Sequence, residues 1–285
     1  MQGEANSVAS SRAKTRSWDS SSHEKFYEYY AQASQSPKTL QRFRSIQDTI
    51  LGFFKTNQSP GPVLDVADIG CGAGTQSLLW AQRGHRVHGI DLNAPLLELA
   101  RERAASAGYA VEFQVGSAVE LPWADESMDV CLNIELLEHV VGWMSCLSES
   151  ARVTRPGGIL FLTTTNKLCP KQEEFRLPAY GWYPGPVKRY FEKLATTTHP
   201  QLADYARYPA VNWFSFYGLQ RVLAARFQCF DRFDLVDLSG KGALAKWIVT
   251  LVRVLPTLRW LAHVSTPGTI LLAMKHKSQA VPNGL

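Results

Sequence analysis

Apolar positions along this chain switch between two spacings, and the switches predict its elements. Leu40, Phe43, Ile46, Ile50 and Phe54 recur at helical spacing, so a helix is expected over 39–54. The run Val63-Leu64-Asp65-Val66-Ala67-Asp68 then reads as a short buried strand, which passes through a glycine-rich turn into a helix beginning near Thr75 and covering about 76–82. Further strands are expected at 85–91, 111–115, 129–133, 159–164 and 229–238 and within 267–275, with helices at 94–107 and 216–227. Strands alternating with helices at this rhythm imply an α/β doubly wound sheet whose ligands sit at the carboxyl ends of the strands.

Four stretches depart from that rhythm. Residues 1–22 are rich in serine and poor in apolar side chains, and are expected to be a disordered tail. Arg12, Lys14 and Arg16 make that tail basic, with a faint likeness to a transit peptide as the alternative. From about residue 23, the aromatics Phe26, Tyr27, Tyr29 and Tyr30 begin an amphipathic helix that either covers a ligand or simply packs on the core. Residues 166–217 are dense in Trp, Tyr, Phe and Pro, which suits a lid over a planar or lipophilic ligand or a satellite core of its own. Residues 240–263 carry Lys241, Lys246, Arg253 and Arg259, two tryptophans and no acid, so they are a candidate for membrane-surface contact, with a packed helical insert as the competitor. The expected division is therefore a tail at 1–22, one domain at 23–275 holding these two inserts, and a tail at 276–285.

Composition narrows the class without deciding it. The 285 residues are 45% hydrophobic and 19% charged, as in an ordinary globular protein large enough to build its own core. Five scattered cysteines with no C-x-x-C pair point to a reducing compartment, hence a cytoplasmic setting, and against a disulfide framework or zinc site. A net charge of +5 does not require a nucleic-acid partner, and no apolar run reaches the length of a membrane span.

Chemistry concentrates in the turn Asp68-Ile69-Gly70-Cys71-Gly72-Ala73-Gly74. Glycines at alternate positions let a ligand lie against the backbone. The spacing is neither the dinucleotide pattern G-x-G-x-x-G nor a P-loop, and the turn holds no lysine. Asp68 would repel a phosphate and suits an ammonium group. Asp91, at the tip of the next strand, is placed to accept hydrogen bonds from both hydroxyls of a ribose. A ligand with an amino-acid end, a ribose and no phosphate is S-adenosylmethionine.

Asp68 to Gly74, Asp91, Leu121-Pro122-Trp123, Asp129 and Arg155-Pro156-Gly157-Gly158 together resemble a class I S-adenosylmethionine-dependent methyltransferase. Ile134-Glu135-Leu136-Leu137-Glu138-His139-Val140 is similar to the ubiquinone-biosynthesis O-methyltransferase group. The resemblance covers about a third of the chain. It implies a Rossmann-like seven-stranded sheet with the last strand antiparallel, a lid after the fifth strand, and Gly70, Gly72, Gly74 and Asp91 holding the cofactor with Ile134 beside the adenosyl group. It further implies that an arginine on the 39–54 helix, Arg44 or Arg42, contacts the cofactor carboxylate. Where the family usually carries an acid for the adenine amino group, this chain has Ser117, which can accept a hydrogen bond without charge.

For an O-methylation the acceptor must lose its proton, which calls for a base or a metal. One helical turn would set Glu135, Glu138 and His139 on neighbouring faces, able to converge on a divalent ion such as Mg2+ or on the acceptor oxygen. The resemblance implies the metal; the alternative is that Glu138 and His139 brace the helix. His139 and Glu135 are the candidate catalytic groups, and Thr163, Thr164, Thr165 and Asn166 candidates to line the acceptor pocket. The leading expectation is O-methylation of a phenolic, quinone-precursor or other lipophilic small molecule. Methylation of a lipid, sugar, amine or carbon nucleophile and a non-catalytic cofactor-binding regulator are the alternatives. A nucleic-acid substrate is not expected, because the chain shows no base pocket of the Asn-Pro-Pro-Tyr type.

Overall fold

The computed structural model describes residues 32–57, 61–172, 174–203 and 210–277. The expected tail at 1–22, the aromatic start at 23–30, Tyr208 and residues 278–285 lie outside the described residues.

Helix α1 (Pro37–Asn57) leads into strand β1 (Asp65–Ile69), the glycine turn and α2 (Thr75–Gln82); β2 (Arg86–Asp91), α3 (Ala94–Ala107), β3 (Glu112–Val115) and β4 (Met128–Ile134) follow. Next come α4 (Trp143–Val153), β5 (Thr154–Thr165), α5 (Gly185–Thr197), α6 (Phe216–Leu223), β6 (Phe227–Asp231), α7 (Ala243–Val254), α8 (Pro256–Val264) and β7 (Gly268–Lys275). The seven strands form one sheet in the order β3-β2-β1-β4-β5-β7-β6. Strands β1 to β5 pair in parallel, while β7 runs antiparallel to both β5 and β6. The carboxyl ends of β1 to β6 therefore share one edge.

Parallel strands covered on both faces are mostly apolar, and polar residues in them need partners, as Asp65 has in Arg86 and Asp68 in Ser77. All five residues of β1 are buried, and side chains leave β5 alternately into two cores. Leu160 and Leu162 join Ala67, Ile69 and Cys131 beneath α4 and α6, whereas Ile159 and Phe161 join Val66, Val130 and Leu132 beneath α1 and α2. Local signals set the helix ends. Helix α3 coincides with its expected span because the Asn93 side chain accepts from the backbone N–H of Leu96 at 3.2 Å and Gly108 closes it at φ +73°.

Strand β6 is shorter and earlier than the 229–238 expected. Asp231 turns the chain out of the sheet, its Oδ1 accepting from the backbone N–H groups of Phe233 (2.8 Å) and Asp234 (3.1 Å). The 166–217 insert builds a core of its own from Phe175, Tyr180, Ala195 and Ala203, with Tyr183, Phe191 and Trp213 packed on it. Phe175 stacks on Tyr180 at 4.2 Å and Lys188 lies 4.4 Å over Trp213, so these aromatics fill the inside of the insert, while Trp182 and Tyr190 stay exposed on it. In the 240–263 insert, Pro256 breaks the segment where expected and begins α8.

Candidate cofactor and acceptor site

The turn after β1 is a run of left-handed glycines, with φ of +75° at Gly70, +51° at Gly72 and +73° at Gly74. Its backbone is tied to the neighbouring strand, because the N–H groups of Gly70 and Cys71 both donate to the Ile90 carbonyl, at 2.8 and 3.1 Å. At Gly74 a Cβ would lie 2.8 Å from both Ala100 Cβ and Phe113 Cζ, so the third glycine is required by packing as well as by conformation.

Two carboxylates frame this turn and behave differently. Asp68 is buried and accepts from Ser77 Oγ at 2.5 Å, so it braces the turn against α2 from below. Burial pushes its pKa up to about 6, against the opposing Ser77 hydrogen bond. Asp91 stands at the tip of β2, partly buried, with Oδ2 accepting from the Gly72 N–H and Oδ1 from the Asn93 N–H, each at 2.8 Å. Burial raises its pKa, and the two backbone bonds partly offset that. Each oxygen keeps a further lone pair for a hydroxyl donor.

The residues fit a zwitterionic nucleoside for a second reason. At the head of α2, directly after the turn, the Thr75 hydroxyl and both polar atoms of the Gln76 amide are buried with no hydrogen-bond partner among the described residues. Orphaned buried groups of this kind are disfavoured until a ligand meets them, and an ammonium and a carboxylate offer what they lack. The sequence pattern gave no reason to single out Gln76. It also missed Arg103, whose guanidinium donates to the Ala73 carbonyl of the turn at 3.1 Å.

Arg44 and Arg42, the two candidates on α1, are both exposed, and Arg42 donates to Glu135 Oε1 at 2.5 Å. Ser117 is partly buried after β3 and its hydroxyl accepts from the Val119 N–H at 3.3 Å. Ile134 ends β4, paired in register with Thr163.

The expected convergence of Glu135, Glu138 and His139 is overturned. These residues form an irregular turn, not a helix, and Glu135 takes the left-handed region at φ +50°. Its backbone N–H donates to the Thr163 carbonyl at 2.9 Å and its carboxylate reaches out to Arg42 on the α1 side of the sheet. Glu138 turns the other way and accepts from Thr164 Oγ1 at 2.7 Å. The two carboxylates therefore take different partners, the Arg42 guanidinium on α1 for Glu135 and the Thr164 hydroxyl for Glu138. Among the described residues no group of three or more His, Cys, Asp or Glu side chains is arranged to hold a metal ion, so the proposed Mg2+ ligand set does not exist in this arrangement.

Glu138 is only 1% exposed, and burial pushes its carboxyl up to about 8 against the opposing Thr164 hydrogen bond. His139 is partly buried beside it in the same turn. The segment that returns from the 166–217 insert ties down the backbone of this turn. Val211 and Asn212 N–H groups donate to the Glu138 carbonyl (2.9 and 3.1 Å), and Asn212 Nδ2 donates to the carbonyls of Leu137 (2.9 Å) and Val140 (2.7 Å). Thr165 Oγ1 donates in turn to the Asn212 carbonyl at 3.2 Å. Asn212 went unnoticed in the sequence, where it is one polar residue among aromatics.

A seven-stranded sheet with its last strand antiparallel, a glycine turn at the end of β1 and an acid at the end of β2 define the class I S-adenosylmethionine-dependent methyltransferase fold. In agreement, the family described as "Methyltransferase domain" matches residues 67–162, and that part of the chain is such a domain. The ubiquinone biosynthesis O-methyltransferase of Sinorhizobium fredii is 36% identical over 129 residues, covering 44% of this chain and 52% of that protein. The malonyl-[acyl-carrier protein] O-methyltransferase of Serratia marcescens is 34% identical over 121 residues, 42% of this chain and 44% of that protein. The chain thus spans about half the length of the curated relatives it matches. Among solved structures, the PH0226 protein of Pyrococcus horikoshii aligns with a TM-score of 0.52 at 17% identity, covering 87% of this chain and 98% of that one, a likeness of fold.

Proposed function

We propose that this chain transfers a methyl group from S-adenosylmethionine to a hydroxyl of a phenolic, quinone-precursor or other lipophilic small molecule. The observation that carries the reading is a carboxylic acid, Glu138, buried beyond β4 at the edge of the sheet that also carries the cofactor turn, where burial raises its pKa to about 8. When bound, the cofactor supplies an electrophilic methyl group on a sulfonium. Asp91 and the turn of Gly70, Gly72 and Gly74 bind and orient its nucleoside end, and Thr75 and Gln76 meet its amino-acid end. A phenol has a pKa near ~10 and attacks much faster as the anion. Glu138, ionised above about pH 8, takes the acceptor proton, with His139 beside it. Glu135 serves instead to hold α1 to the strand ends through Arg42.

Val211 and Asn212 hold the return segment on the backbone of the Glu138 turn, and opening and closing of that segment admit the acceptor and exclude water. The relatives named for ubiquinone biosynthesis support a lipophilic acceptor. A pH profile of methyl transfer tests the reading: the rate should rise tenfold per pH unit up to a plateau above about pH 8, and Glu138→Gln should abolish the rise. A profile that Glu138→Gln leaves intact would remove Glu138 from the chemistry.

A further inference from the structure

The apolar side of α7 points away from the rest of the protein. Leu244, Trp247 and Ile248 recur at helical spacing and are 72%, 64% and 50% exposed, and no residue of α7 is buried. In α8, Trp260 and Leu261 are half exposed and, with Pro256 and Thr257, line an open hollow. An exposed apolar stripe of this extent marks an interaction surface.

The hairpin that carries the stripe is firmly mounted. Arg253 donates to the carbonyls of Phe233, Asp234 and Val236 at 2.8 to 3.1 Å. Arg259 and His263 both hold the buried Asp231 at the end of β6, at 2.7 and 2.8 Å. Asn166, the residue after β5, donates to the carbonyls of His263 (2.8 Å) and Thr266 (2.7 Å). The hairpin therefore stands on the same edge of the sheet as the cofactor turn and Glu138.

We infer that α7 and α8 dock this protein on an anionic membrane surface, with the apolar stripe among the lipid chains and the acceptor edge turned toward the bilayer. Charge selects lipid as the occupant. With Arg253 and Arg259 used as anchors, the basic side chains left exposed at the start of the hairpin are Lys241 and Lys246, and no acid occurs between Gly240 and His263. Tryptophan beside lysine around an apolar stripe is the composition that settles at a headgroup boundary. Docking of this kind deepens the proposed function by making the acceptor a molecule dissolved in the bilayer; that consequence rests on the methyl-transfer reading, while docking itself does not.

The test is co-sedimentation of the full chain with vesicles of phosphatidylcholine alone or mixed with phosphatidylglycerol, alongside light scattering without lipid. The chain should sediment with the mixed vesicles. The triple variant Leu244→Ser, Trp247→Ser, Ile248→Ser should lose about tenfold or more of that partition, and Lys241→Glu with Lys246→Glu about tenfold on anionic vesicles only. Thermal melting should stay unchanged in both, since the altered side chains are exposed. Wild-type chain left in the supernatant, or a triple variant that sediments like wild type, overturns the inference. So does a dimer that the triple variant dissolves without any vesicle binding, which assigns the stripe to a second copy. Sedimentation by a chain that binds no S-adenosylmethionine would leave docking standing and sink the methyl-transfer reading; transfer to a detergent-dissolved acceptor without vesicle binding would do the reverse.

Discussion

Replacing Glu138 with glutamine should stabilise the protein near neutral pH while disabling it. The native carboxyl has an ordinary pKa of 4.5 in the unfolded chain and about 8 in the fold, where burial is the largest cause. Folding raises this pKa, so the folded state favours the protonated acid. Below about pH 4.5 both states hold the proton and the group has no effect on stability. As pH rises from there, the unfolded chain releases the proton and the folded chain keeps it, so stability falls by about 1.4 kcal/mol per pH unit until about pH 8. By pH 7 the loss amounts to about 3 kcal/mol. Glutamine has nearly the same shape, can still accept from Thr164 Oγ1, and carries no such proton. Urea unfolding of both proteins from about pH 5 to about pH 8 measures the difference directly. The variant should gain over wild type steadily across that range, from close to zero at the acid end. A gap that stays constant with pH, or that closes as pH rises, refutes the assignment of a raised pKa to Glu138.

Four further outcomes follow from the geometry. Asp91→Ala should weaken S-adenosylhomocysteine binding by about 100-fold or more in calorimetry, as expected for losing two charge-assisted hydrogen bonds; unchanged affinity would remove Asp91 from the site. Gly74→Ala should lower unfolding stability by about 2–5 kcal/mol, combining a left-handed residue with a Cβ forced against Ala100 and Phe113, and a variant as stable as wild type would contradict the packing. Gln76→Met should leave the free protein as stable or about 1 kcal/mol more stable while weakening cofactor binding, whereas a clear loss of stability would show that the amide already has a partner. Asp231 is depressed to about 2, where burial acting upward is outweighed by hydrogen bonds from His263 and Arg259. Its contribution is present above the usual carboxylate range and lost as pH falls toward 2, so Asp231→Asn should cost about 3 kcal/mol at neutral pH and the gap should narrow in acid melts.

What was legible in the sequence was local. Asp68 to Gly74 and Asp91 announce themselves because conformation and chemistry are written in consecutive residues, and the ends of α3 follow from Asn93 and Gly108. What was not legible depends on distant partners. Glu135, Glu138 and His139 look convergent when threaded on a helix; the fold brings Arg42 of α1 to one carboxylate and Thr164 of β5 to the other, and no spacing within 134–140 reveals that. That Arg42 meets Glu135 is equally invisible, because 93 residues separate the two. The aromatics of 166–217 satisfy the pattern of a lid wall and of a private core equally well, and only packing shows that Tyr180, Phe175 and Trp213 belong to a core. Gln76, Arg103 and Asn212 carry no motif at all, since each matters only for what the fold brings against it.

The central claim is tested most directly by incubating the chain with methyl-labelled S-adenosylmethionine and a cell extract, then partitioning the products between organic and aqueous phases. Label should enter the organic phase with wild-type protein, persist in the presence of a chelator because the Glu135 and Glu138 carboxylates are engaged separately by Arg42 and Thr164, and vanish with Asp91→Ala. Label confined to the aqueous phase, or no transfer from a chain shown to bind the cofactor, would contradict the account.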